Sequence, residues 1–184
     1  IRVNGIDVRM VDGLWISNVK VHNCRSGGLV ASWKSENIFV ENSIFYANFF
    51  DGVALYDSEN ISISNFICSE NGAAGLSLDN DLSDVIFNDG FVENNGDVGI
   101  FARHASTLNF NNLLVKGNQS HGVFLSHSTP NSETGVNRLI FNNCCFKDNN
   151  GCGFWMASPS TESKDNCLVG CTFSNNTQDP VCQD

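Results

Sequence analysis

An asparagine followed four residues later by a glycine recurs along this chain, and no other feature constrains the fold as strongly. The pairs are Asn48/Gly52, Asn71/Gly75, Asn95/Gly99, Asn118/Gly122 and Asn149/Gly153, with Cys24/Gly28 a variant and Asn176/Pro180 closing the series. The spacing between successive pairs is 23 or 24 residues until insertions lengthen it near the C-terminus. A fixed period of this kind marks a solenoid whose every unit is one coil. A second amide column runs six residues ahead of the first: Asn18, Asn42, Asn65, Asp89 as a substitute, Asn112 and Asn143.

Within each unit the apolar residues alternate in short runs, as in Ile61 and Ile63 or Leu76 and Leu78, which is the period of a strand and not of a helix. Three strands of two to five residues, separated by Asn, Gly, Ser and Asp turns, fill such a unit and leave no room for a helix. Coils stacked in register place equivalent residues about 4.8 Å apart. At that spacing identical Asn side chains can bond amide to amide up the stack, and both columns are expected to form such ladders. Inward positions then pile into columns: Phe87, Phe110 and Phe141 make one, and Phe45, Cys68, Val92, Val115, Phe146 and Phe173 another. Only 16% of the residues are charged and 26 are Asn, which suits stacked turns better than a conventional domain.

These phrases, NGAAGLSLDN, NISISNFICSEN and NNCCFKDNNGCGF among them, resemble the right-handed parallel β-helix proteins of the pectin-lyase-like superfamily over nearly the whole chain. The expected fold is all-β: a single-stranded right-handed parallel β-helix solenoid of about seven coils of 23 or 24 residues, in one domain spanning residues 1–184. Gly5 lies 23 residues before Gly28, so residue 1 is expected to fall within a coil, with additional N-terminal coils or another capping segment ahead of it.

The outward face of the strand after each glycine is where function is expected. Counting from the glycine, positions one and three point inward and positions two and four outward. Position two reads Val30, Ala54, Ser77, Phe101, Phe124 and Trp155; position four reads Ser32, Tyr56, Asp79, Arg103, Ser126 and Ala157. The following turn carries Trp33, Asp57, Asn80 with Asp81, His104 and His127. In the superfamily this chain resembles, that outward sheet commonly holds a polysaccharide. The resemblance therefore implies a polysaccharide-cleaving or polysaccharide-modifying protein, of glycoside hydrolase, lyase or epimerase type. Asp57, Asp79, Asp81, Arg103, His104 and Tyr56 are the candidate catalytic groups, and Trp33, Phe101, Phe124, His127 and Trp155 the candidate substrate contacts. Two carboxyl groups would serve glycosidic hydrolysis. A base, an acid and a cation to neutralise a carboxylate would serve chemistry at C5 of a uronate, with His104 or Tyr56 and Arg103 in those roles. A non-catalytic glycan-binding spike of the phage-tailspike kind, or a structural solenoid, is the alternative. The enlarged turns at residues 126–138 and 157–165 are expected to wall the groove.

A net charge of -10 argues against nucleic acid, and no apolar run reaches the roughly 18 residues of a membrane span. No cofactor is called for, although the acidic cluster leaves room for a calcium ion. A homo-oligomer is compatible with the exposed aromatic row. Eight cysteines, most of them near the C-terminus, point to an extracellular or secreted protein. Cys144 and Cys171 share one column in adjacent coils and are expected to bridge, whereas Cys68 is expected to be a core thiol.

Overall fold

The computed structural model describes residues 3–126, 135–157 and 164–183. Its strands pair in parallel, coil upon coil, into two sheets. The front sheet has eight strands: Ile6–Arg9, Leu29–Ser32, Val53–Tyr56, Leu76–Asp79, Ile100–Ala102, Val123–Leu125, Phe154–Met156 and Val181–Gln183. The back sheet has eleven. Among the described residues there is no helix, and none long and apolar enough to cross a membrane.

The back sheet corrects the expectation of three short strands per coil. In the middle coils the second and third strands fuse into 12-residue strands, Ser35–Tyr46, Ser58–Ser69 and Leu82–Glu93. Each bends at two residues with left-handed φ: Asn37 and Asn42, Asn60 and Asn65, Asp84 and Asp89. Asn and Asp tolerate that region better than other side-chain-bearing residues, so the chain turns a corner without losing its register.

The two amide columns therefore have different causes. Asn48, Asn71, Asn95, Asn118 and Asn149 are buried and form an unbroken ladder. Each Nδ2 donates to the Oδ1 of the next coil's Asn at 2.9–3.0 Å, ending on Asn176. That same oxygen accepts the backbone N–H of the Asn before it, and the second Nδ2 hydrogen reaches a main-chain carbonyl such as Phe45 O or Cys68 O. The Asn18, Asn42, Asn65, Asn112 and Asn143 column is exposed, and its members hold left-handed φ instead of a buried ladder.

The ladder also explains the glycine that follows it. A Cβ on Gly75 would lie 2.7 Å from Asn95 Nδ2 and 2.9 Å from Gly99 O, and Gly52 and Gly99 are crowded in the same way by their own neighbours. The Asn amide fills the space that a side chain would need. Inside the coils Phe87, Phe110 and Phe141 stack with centroids 5.1 and 4.2 Å apart and nearly parallel planes. Cys68 is buried in the column of Phe45 and Val92, which pushes its thiol pKa up.

The disulfide is not the expected one. Cys152 and Cys182 are bridged, while Cys144 and Cys171 are free. Stacked in one column, those two thiols each turn to a main-chain carbonyl of the previous coil, Phe110 O and Phe141 O. Burial pushes Cys144 up to about 12. Cys182 instead stands beside Trp155 in the front sheet, and Cys152 just precedes the same strand as Trp155. The bridge joins two different columns, which a comparison within one column misses.

Candidate functional site

The front sheet places the outward residues in register, Ala54 against Ser77, Phe101, Phe124 and Trp155, and Tyr56 against Asp79. Of the candidate catalytic residues it brings Tyr56, Asp79 and Arg103 together. Asp79 is not a solvent-facing acid: it is only 5% exposed. Arg103 Nε donates to both of its carboxylate oxygens, at 3.1 and 3.0 Å, and Nη2 donates to Oδ2. Hydrogen bonding to Asp79 in turn raises the Arg103 pKa. This arrangement uses Nε–H and one Nη2–H, and leaves three N–H donors on the guanidinium of a side chain that remains 39% exposed.

Tyr56 crosses from its own strand toward its neighbour, its hydroxyl 3.2 Å from Ser77 Oγ. Asp51 interacts with the same hydroxyl and accepts the Ala74 backbone N–H at 3.0 Å. Burial pushes both groups up, Asp51 above its ordinary 3.8 and Tyr56 above its ordinary 10.0. The nearby charge of Asp97 adds to the shift of Asp51, and those of Asp51 and Asp79 to the shift of Tyr56. A carboxyl moved toward neutrality beside a phenol kept protonated is a pair suited to moving protons.

The turn residues continue from this cluster, the Asn80 backbone N–H donating to Asp79 Oδ1 at 2.7 Å. Asp57, Asn80 and Asp81 have left-handed φ and, with Arg9, Ser32, Trp33 and Tyr56, line a cleft of about 560 Å³ at one edge of the sheet. Trp33 is exposed there, with the Arg9 guanidinium 5.1 Å from its ring. Asp57 and Asp81 also line an adjoining depression with Lys34, Glu36 and Glu59. His104 turns in at the next coil with left-handed φ, and its Nε2 is buried without a hydrogen-bond partner among the described residues. His127 lies outside the described residues. Among them no group of three or more His, Cys, Asp or Glu is placed to hold a metal ion.

The aromatic row is present but differs from a flat platform. Phe124 and Trp155 stack at 4.6 Å along the coil axis, so each covers a face of the other. Phe101 meets Phe124 edge-on at 5.8 Å and has the Arg103 guanidinium 5.7 Å from its own ring. His121 closes against Trp155 at 4.5 Å.

Asp51 and His121 were not singled out from sequence. Both occupy the position before the glycine, a column that between its two polar ends, Asn4 and Asp179, otherwise reads Gly27, Ala74, Val98 and Cys152. Their departure from small or apolar residues in that column is the signal that would have found them.

Family comparison agrees with this architecture. The sequence matches the family described as right handed beta helix region over residues 1–89 and 40–183. The chain belongs to that family. No curated protein matches it. Among solved structures it is similar to a variant of the periplasmic alginate epimerase AlgG, with 20% identity, a TM-score of 0.77, and coverage of 91% of this chain and 42% of that one. It is also similar to ORF18 of Geobacillus virus E2, with 16% identity, a TM-score of 0.73, and coverage of 92% and 38%. The A-module of the mannuronan C-5 epimerase AlgE4 from Azotobacter vinelandii gives 16% identity, a TM-score of 0.69, and coverage of 97% and 60%. At such identities the likeness is one of fold, and the chain spans less than two thirds of each of these proteins.

Proposed function

We propose that the protein binds a uronate-containing polysaccharide along the outward face of the front sheet and cleaves it by β-elimination. The observation that carries this reading is the Tyr56 hydroxyl, which sits against Ser77 and Asp51 with Arg103 close enough for their charges to interact. Hydrolysis needs two carboxyl groups facing one bond. Asp79 is buried and held at both oxygens by Arg103, so it is poorly placed to be one of them. Arg103, by contrast, still has free donors for a substrate carboxylate.

The reaction follows from those placements. Arg103 binds the uronate carboxylate, where charge gathers as the C5–H bond breaks. Asp51 takes the C5 proton; its raised pKa makes it a stronger base than an exposed carboxylate. The C5–H electron pair becomes the C4–C5 double bond, the C4–O bond breaks, and Tyr56 gives its proton to the leaving oxygen. Asp51 and the Tyr56 hydroxyl lie within interaction range of each other, which suits removal and delivery from the same face of the sugar. Epimerisation needs a donor on the opposite face. The similarity to alginate epimerases supports the uronate as the substrate class, and the Cys152–Cys182 disulfide supports an extracytoplasmic location.

The test is to incubate the protein with polygalacturonate, alginate and neutral glycans and to follow unsaturated uronate absorbance together with new reducing ends. Elimination produces both in equal number. Reducing ends without unsaturation mean hydrolysis, and inversion at C5 without cleavage means epimerisation. Binding of a glycan without any product would instead support the spike reading, which the likeness to the viral ORF18 protein favours.

A further inference from the structure

The His121 side chain belongs to neither the proton-transfer cluster nor the core. Its Nδ1 accepts the Cys152 backbone N–H at 2.9 Å, so in the neutral ring the hydrogen is on Nε2. That Nε2 is neither buried nor bonded to any described residue. The imidazole fits because the next coil has Gly151 beneath it: a Cβ there would lie 2.7 Å from Nδ1. Trp155 lies 4.5 Å away, centroid to centroid, and its indole N–H likewise has no partner among the described residues and is not buried. Asp97, exposed on the preceding coil, acts on the imidazole through its negative charge. Burial nevertheless holds His121 below its ordinary 6.5, so the ring is neutral at neutral pH.

Two uncharged N–H donors thus stand at the aromatic end of the groove, three and four strands of the sheet from Tyr56, which is about 14–19 Å at the strand spacing, and one carboxylate acceptor, Asp97, stands beside them just ahead of the Ile100–Ala102 strand, two strands from that of Tyr56. A sugar hydroxyl both accepts and donates, and a vicinal pair of hydroxyls satisfies such a set. A carboxylate can only accept, and Asp97 repels it.

We propose that His121 and Trp155, with Asp97 between them and the proton-transfer cluster, form a sugar subsite beyond the chemistry, one that reads a pyranose by its hydroxyl edge and not by its carboxylate. This inference rests on the glycan-groove reading above.

The test measures the affinity of wild type and of His121→Phe, His121→Gln and Asp97→Ala for uronate hexasaccharides, in the acid form and as methyl esters, by calorimetry. His121→Phe keeps ring packing but removes the donor, and it should weaken binding of both forms at least tenfold. His121→Gln can accept from Cys152 and donate from its amide, and should recover most of that loss. Asp97→Ala should weaken both forms. Tighter binding of the acid form by Asp97→Ala would make Asp97 a mere repulsive charge and overturn the subsite. A His121 effect confined to the acid form would overturn the hydroxyl reading, and unchanged affinity in all three variants would remove the subsite while leaving the groove intact. A wild type that binds none of these glycans would defeat the groove reading itself.

Discussion

The two ends of the front sheet use the same column positions for opposite chemistry. Toward the N-terminus, positions two and four hold Ala54, Tyr56, Ser77 and Asp79, and the side chains lie across strands to bond one another. Toward the C-terminus they hold Phe124, Ser126, Trp155 and Ala157, and the rings stack along the coil axis. Arg103 and Phe101 sit at the border and touch both. The backbone beneath is the same throughout, held by the Asn ladder and the inward columns. Because that frame needs nothing from the outward positions, they are free to carry protons at one end and to grip a polymer at the other.

Substitutions that separate the two ends test this division. The largest effect is expected from Asp51→Asn, which should reduce turnover by about a hundredfold or more, the scale of a lost general base. The same change should raise stability at neutral pH. Asp51 has a folded pKa above its ordinary 3.8, so its stabilising contribution is present below that value and is lost as pH rises through the folded pKa. Denaturant midpoints at pH 4 and pH 7.5 would show whether the gain appears only at the higher pH. At the other end of the sheet, Trp155→Ala should leave turnover at saturation within a few-fold while raising KM.

Asn95→Ala interrupts the ladder between the two ends, and should cost about 1–3 kcal/mol by leaving buried amide groups unpaired. Asp79→Asn replaces a buried, charge-assisted pair whose Arg103 partner is partly solvated, so about 1–2 kcal/mol of stability is expected to go with it. Asn65→Gly should change stability by no more than about 0.5 kcal/mol, because its column holds a left-handed turn that glycine adopts freely. Similar losses at Asn95 and Asn65 would mean that the two amide columns are not distinct. The smallest effect concerns salt. A chain of net charge -10 repels a polyuronate at long range, so affinity should rise modestly as ionic strength increases from about 10 to 100 mM. A steep fall would place an unrecognised basic surface in the groove.

Repetition made the frame legible in the sequence. An in-register stack turns every column of equivalent residues into a spatial row, so the Phe87, Phe110 and Phe141 core and the inner Asn ladder could be read by alignment alone. The same logic fails where neighbours belong to different columns. Asp79 reads as outward from its position in the strand, but it is buried and held by Arg103 of the next coil. Asp51 acts on Tyr56 from five residues earlier, ahead of the Val53–Tyr56 strand, and Cys152 reaches Cys182 across columns. Side chains long enough to leave their own row make the site, and a period count cannot see where they land. The Asn65 column shows a second limit: amides in equal register serve a ladder when buried and a left-handed corner when exposed.

The central claim is that the Tyr56 hydroxyl is the proton donor of a glycan-cleaving groove, and Tyr56→Phe tests it with the fewest other changes. Phe keeps the ring and removes only the oxygen that interacts with Ser77 and Asp51. Steady-state kinetics on whichever uronate polymer wild type converts to unsaturated product should show kcat reduced about a hundredfold or more, with the affinity for the polymer unchanged. Turnover by Tyr56→Phe within a few-fold of wild type would contradict the account.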